Sequence, residues 1–205
     1  MILRKSPIIW FLIILLISVI VAALAPIEKT LGSNARLVYF HGAWVWTAML
    51  AFIAAALTGL IGVLSRRLAF HNWSLALGRT GLLFWIAFLP MSLIVMQANW
   101  NGLFLDEPRF RIPLNFAVVG LLLQIGLTIF SMPFWSSIAN LAYGIVFFWG
   151  MAQVETILHP DSPVFSSGAR DIQIYFLLLF ILLSVSALCL AYGWLNWETR
   201  KNKNH

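Results

Sequence analysis

The sequence predicts an all-α polytopic membrane protein, a bundle of six transmembrane helices that forms a single domain over residues 1-205. Of the 205 residues, 61% are apolar and only 10% are charged, and the mean hydropathy is +0.91. A soluble domain is about half apolar and about a quarter charged. Because about 20 helical residues cross the hydrocarbon core of a bilayer, this length suffices for roughly six crossings joined by short loops.

Six apolar runs bounded by Pro, Gly or charged residues predict the transmembrane helices. The runs lie near 7-25, 38-65, 81-98, 114-131, 135-153 and 172-195. The first run resembles a secretory signal, but we expect an uncleaved anchor because its apolar stretch is long and Pro26 would directly follow the cleavage site. In the second run, the pairs Ala55 with Gly59 and Thr58 with Gly62 predict close packing against a neighbouring helix.

The distribution of Lys and Arg predicts that both termini face the cytoplasm, because cationic loops near transmembrane helices stay on that side. Eight of the 13 Lys and Arg residues lie on the side of the termini: Arg4, Lys5, Arg66, Arg67, Arg79, Arg200, Lys201 and Lys203. We expect the loops 26-37, 99-112 and 154-171 on the extracytoplasmic side of the inner or plasma membrane. The net charge of +6 therefore indicates topology, and we expect no nucleic-acid partner.

The sequence motifs do not indicate an enzyme. Neither a G-x-G-x-x-G sequence nor a Walker-type lysine motif is present, and no Ser-His-Asp, paired-carboxylate or H-E-x-x-H arrangement is recognisable. The single cysteine, Cys189, excludes an intrachain disulfide and a cysteine-cluster metal site. The polar residues within the predicted spans are uncharged, which disfavours a proton-coupled secondary transporter. They are Asn115, Gln124, Asn140 and Gln153.

The candidate functional residues are expected at the outer end of the bundle. His41 begins the second span and His159 follows the fifth, and two neutral imidazoles on opposite faces of a porphyrin form a six-coordinate haem site. In the loop 99-112, Trp100 could stack on a porphyrin, and Arg109 or Arg111 could pair with its propionates. The alternative is that the histidines bind loop carbonyls and the aromatic residues belong to an interfacial belt.

Three segments resemble the CcmC (haem exporter protein C) family, whose members handle haem in cytochrome c maturation. Residues 36–44 (RLVYFHGAW) are similar to the first histidine segment of that family, and residues 156–160 (TILHP) to the second. Between them, Trp100 to Arg109 occupies the place of the family's tryptophan-rich outer loop. The order of the segments, their side and the six-span layout agree over nearly the whole chain.

This resemblance implies that the chain binds haem b transiently and non-covalently at the outer membrane face. It implies His41 and His159 as axial ligands of the iron, and five further contact residues: Trp44, Trp100, Phe104, Asp106 and Arg109. The implied partners are a haem chaperone that receives the haem and ABC-transporter subunits that supply ATP energy. Two alternatives remain open. One is a membrane-anchored b-type cytochrome electron-transfer subunit, and the other is a haem-free scaffold or permease-like subunit.

Overall fold

The computed structural model describes residues 6–155, 163–166 and 168–201, and its described residues form seven helices. The helices are α1 (Pro7–Ala23), α2 (Ala35–Ser65), α3 (Leu68–Trp100), α4 (Pro108–Phe130), α5 (Pro133–Ala152), α6 (Pro163–Ser166) and α7 (Arg170–Lys201). In this part of the chain, β-pairing is confined to an isolated bridge between Glu28 and Gly32. The prediction of an all-helical fold is therefore confirmed for the described residues.

Five of these helices, α2, α3, α4, α5 and α7, are long and apolar enough to cross a membrane, which supports a lipid bilayer as the surroundings of the protein. Helix α1 is also apolar, but it has 17 residues, which is the lower end of the range for a crossing. A sixth crossing by α1 and the orientation of the termini stay predictions.

Helix α3 extends well beyond its predicted span, because it begins at Leu68 and not near residue 81. Two polar residues of this added part of the helix, His71 and Ser74, pair with α5. The Nδ1 atom of His71 lies 2.6 Å from Ser137 Oγ, and Asn140 Nδ2 donates to the carbonyl of Ser74 at 2.9 Å. The expected cytoplasmic loop is thus a tight turn at 66–67, and Arg79 lies eleven residues inside α3.

Small residues bring the central helices together, as the sequence predicted. A Cβ atom at Gly59 would lie 2.7 Å from the carbonyl oxygen of Ser137 in α5, and one at Gly62 would lie 2.9 Å from His71 Nδ1 in α3. Side chains of this size let helix backbones approach closely within a membrane. Helix α2 consequently packs against α3, α5 and α7.

Aromatic side chains fill the core between these helices and fix the end of the bundle where the candidate residues lie. The ring of Trp85 packs 4.7 Å from that of Phe147, and its Nε1 donates to the carbonyl of Pro113 at 3.0 Å. The hydroxyl of Tyr143 donates to the carbonyl of Phe116 at 2.9 Å. Helices α3, α4 and α5 are therefore tied together by buried hydrogen bonds as well as by apolar packing.

Candidate functional site

A cavity of about 580 Å³ lies at the end of the bundle where α2, α4 and α7 begin and where α3 and α5 end. Its volume falls within the range of about 300 to 1,000 Å³ that is typical of small-molecule sites. Most of its lining is apolar, with aromatic rings from several helices: Trp46, Trp85, Phe88, Phe148, Phe165 and Phe176. This is the surface that a flat, apolar ligand requires.

His41 contributes an imidazole to this cavity from the second turn of α2. Residues spaced by three or four along a helix share one face, so Val38, Val45 and Met49 line the same wall. The imidazole is half-buried, and its ring centroid lies 5.8 Å from that of Phe88 in α3. The long, well-packed helix α2 therefore holds the His41 imidazole in place at the cavity.

Charged groups reach the cavity from the connection between α3 and α4. Trp100 ends α3, Asn101 turns the chain with a φ of 52°, and α4 begins at Pro108. Trp100 at the end of α3, Glu107 in the connection and Arg109 in the first turn of α4 all line the cavity, and Glu107 is only 5% exposed. Glu107 and Arg109 are the two formally charged residues among the described lining residues. The negative and the positive group of the site therefore lie close together in the chain.

Three of the sequence-predicted contact residues lie outside the cavity lining. Trp44 is buried between α2 and α3, where its Nε1 donates to the carbonyl of Phe84 at 2.7 Å and its ring stacks on Phe84 at 4.4 Å. Phe104 is 41% exposed and meets the ring of Trp100 edge-on at 6.0 Å. Asp106 is exposed in the loop. The structure thus brings together His41, Trp100 and Arg109.

His159 lies outside the described residues. The two valines placed five residues before and after it in the chain, Val154 and Val164, both line the cavity. Within the described part of the chain, no group of three or more His, Cys, Asp or Glu side chains could hold a metal ion. A haem iron needs only one or two protein ligands, because the porphyrin supplies the other four.

Sequence reasoning missed several lining residues, and helical spacing would have found some of them. Phe88, Ser92 and Met96 recur every four residues on one face of α3, opposite the His41 face of α2. Glu107 directly precedes the proline that begins α4. Glu107 occupies the N-cap position of α4 and makes no side-chain cap bond there.

A short turn before α2 borders the cavity through Leu31. The backbone N–H groups of Leu31 and Thr30 each donate to the Glu28 carboxylate at 2.8 Å. These bonds, chiefly the one from Leu31, hold the pKa of Glu28 below its ordinary value because they favour the charged form. The turn is therefore fixed by a carboxylate that remains ionised at neutral pH.

No protein-family model matches this sequence, and no curated protein gives a significant match to it.

Proposed function

We propose that this chain is a haem-handling membrane protein of cytochrome c maturation, which binds haem at the extracytoplasmic face and passes it to a haem chaperone. In this proposal the chain crosses the inner or plasma membrane six times, with both termini in the cytoplasm. The observation that carries the proposal is the convergence of His41, Trp100 and Arg109 on one cavity. These residues come from separate helices and supply an imidazole, an aromatic ring and a guanidinium.

The chemistry of the cavity suits an amphipathic porphyrin. Aromatic side chains offer faces and edges against which a flat macrocycle packs, and the neutral imidazole of His41 is an ordinary ligand of haem iron. The guanidinium of Arg109 is a suitable partner for a propionate because its planar fork matches a carboxylate. The apolar and charged parts of the lining thus correspond to the two parts of haem.

We assign His159 as the second axial ligand. The assignment rests on the sequence resemblance and on the cavity positions of Val154 and Val164.

A transfer protein has to load haem and release it again. A cavity at the end of the bundle, with non-covalent ligands, allows a soluble acceptor to approach the bound haem. The sequence contains no nucleotide-binding motif, so any ATP energy would come from partner subunits of the ABC-transporter class.

A haem titration of the purified protein tests this proposal. We expect a Soret band that shifts on binding. The haem affinity should fall by about tenfold or more in His41→Ala or His159→Ala, because losing even a residue that only hydrogen-bonds to a metal ligand lowers metal affinity by about tenfold. His205→Ala is the matched control and keeps wild-type affinity. Full haem retention in the His41→Ala/His159→Ala double variant would contradict the ligand assignment.

A transfer assay separates this proposal from an electron-transfer role. The haem-loaded protein is mixed with an apo form of a haem-binding acceptor protein, and the Soret spectra of the two proteins are followed. We expect the haem to move to the acceptor. A b-type cytochrome would instead be reduced reversibly by quinol and keep its haem.

A further inference from the structure

One face of α2 is exposed along most of its length. Its exposed apolar residues follow the helical repeat, with spacings of three and four: Trp46, Leu50, Ile53, Leu57, Leu60 and Leu64. Residues with this spacing form a single stripe on a helix. Since α2 is one of the helices suited to cross a membrane, this stripe is the face that α2 turns to lipid.

Trp46, at the start of this stripe, also lines the cavity. Among the described lining residues, four are exposed: Leu31, Trp46, Ala152 and Phe165. Leu31 precedes α2, Ala152 ends α5 and Phe165 belongs to the short α6. Only Trp46 among these four lies well inside a long helix, eleven residues and about 16 Å from its start. Trp46 therefore belongs both to the cavity lining and to the exposed face of α2.

Aromatic contacts hold this side chain in place. The Trp46 ring stacks on Phe165 of α6, with centroids 5.4 Å apart and planes at 19°. It also meets two rings of α7 edge-on, Phe176 at 5.4 Å and Phe180 at 5.9 Å. Each such pair contributes modestly beyond the burial of its surface.

We infer that Trp46 and Phe165 close a lateral portal between α2 and α7, through which a planar, apolar carboxylic acid passes from the surrounding lipid leaflet into the cavity. With haem as this ligand, the inference rests on the proposed function. The porphyrin face favours the hydrocarbon, and the propionates favour the headgroup region. Lateral movement through the portal brings the ring into the aromatic cavity, whose lining includes Arg109.

Haem transfer from donor vesicles tests the portal. Protein in phosphatidylcholine vesicles is mixed with phosphatidylcholine vesicles that carry haem, and the Soret shift is followed by stopped flow. In Trp46→Ala and Phe165→Ala we expect the loading rate to rise by about two- to tenfold, since one stacked aromatic pair no longer has to separate. Because both rings also line the cavity, the equilibrium affinity falls in these variants, so a faster loading rate combined with a weaker affinity distinguishes a portal from a purely binding role.

Trp149→Ala is the matched control, because Trp149 is 69% exposed and lies outside the cavity lining. Phe165→Ala tests the same contact if Trp46→Ala fails to fold. Loading rates equal to or slower than those of wild type and Trp149→Ala, in variants that still bind haem at equilibrium, would overturn the portal and leave the proposed function standing. A wild-type protein that shows no Soret shift at equilibrium would overturn both.

Discussion

The substitution Gly59→Ala tests the packing of α2 against α5, which positions the walls of the cavity. The new Cβ atom would lie 2.7 Å from the backbone carbonyl oxygen of Ser137 and 3.0 Å from Ser74 Oγ. Ordinary contacts begin at 3.4 Å, so one of the two helices has to move by about 0.7 Å, which a close-packed interior resists. Such overpacking costs about 1 to 3 kcal/mol.

The matched control is Gly126→Ala in α4, where an added Cβ would meet no protein atom within 4 Å. Both variants gain the helix preference of Ala over Gly, up to about 1 kcal/mol, so their difference isolates the packing cost. Unfolding is followed by circular dichroism while SDS is titrated into dodecylmaltoside micelles. We expect Gly59→Ala to be less stable than Gly126→Ala by about 1 to 3 kcal/mol. Equal stabilities would refute the close approach of α2 and α5.

Two further predictions concern residues beside the cavity. Trp44→Phe should lower the free energy of unfolding in the same assay by about 1 kcal/mol, because a buried hydrogen bond to Phe84 is lost. The haem affinity measured by Soret titration should not change. A large loss of affinity would place Trp44 in the site. Glu28→Gln should reduce the hydrogen-exchange protection of the Leu31 amide at pH 7. The wild-type protein should lose the same protection as the pH falls through the pKa of Glu28, which lies below its ordinary value of 4.5. Protection that does not depend on pH would contradict this account of the turn.

The helical class of the fold was predictable because long apolar runs in the sequence predict membrane helices. The ends of the helices were less so. The third span was predicted from about residue 81, whereas α3 begins at Leu68. Its polar residues His71 and Ser74 pair with Ser137 and Asn140 of α5. The sequence shows that His71 and Ser74 are polar, but only the three-dimensional packing shows that a helix can bury them. Arg79 also belongs to α3, and its guanidinium lies 5.6 Å from the ring centroid of Trp194 in α7.

The candidate site was predictable as a set of chemical groups more than as a geometry. His41, Trp100 and Arg109 were chosen for their side chains and their expected end of the bundle, and the structure places them on one cavity. Trp44 was expected in the site only because the resemblance to the CcmC family implied it. Its ring nevertheless packs against Phe84 in α3. The face of a helix that lines a cavity depends on how the helix is rotated about its axis. The helices packed against it determine that rotation.

The most direct test of the account is the coordination state of the iron in the haem-loaded protein, measured by electron paramagnetic resonance. If the imidazoles of His41 and His159 share one haem, the ferric wild-type complex is six-coordinate and low-spin, and either single alanine substitution converts it to a high-spin or weakly bound form. A wild-type spectrum that neither substitution alters would contradict the central claim that this cavity holds haem between these two residues.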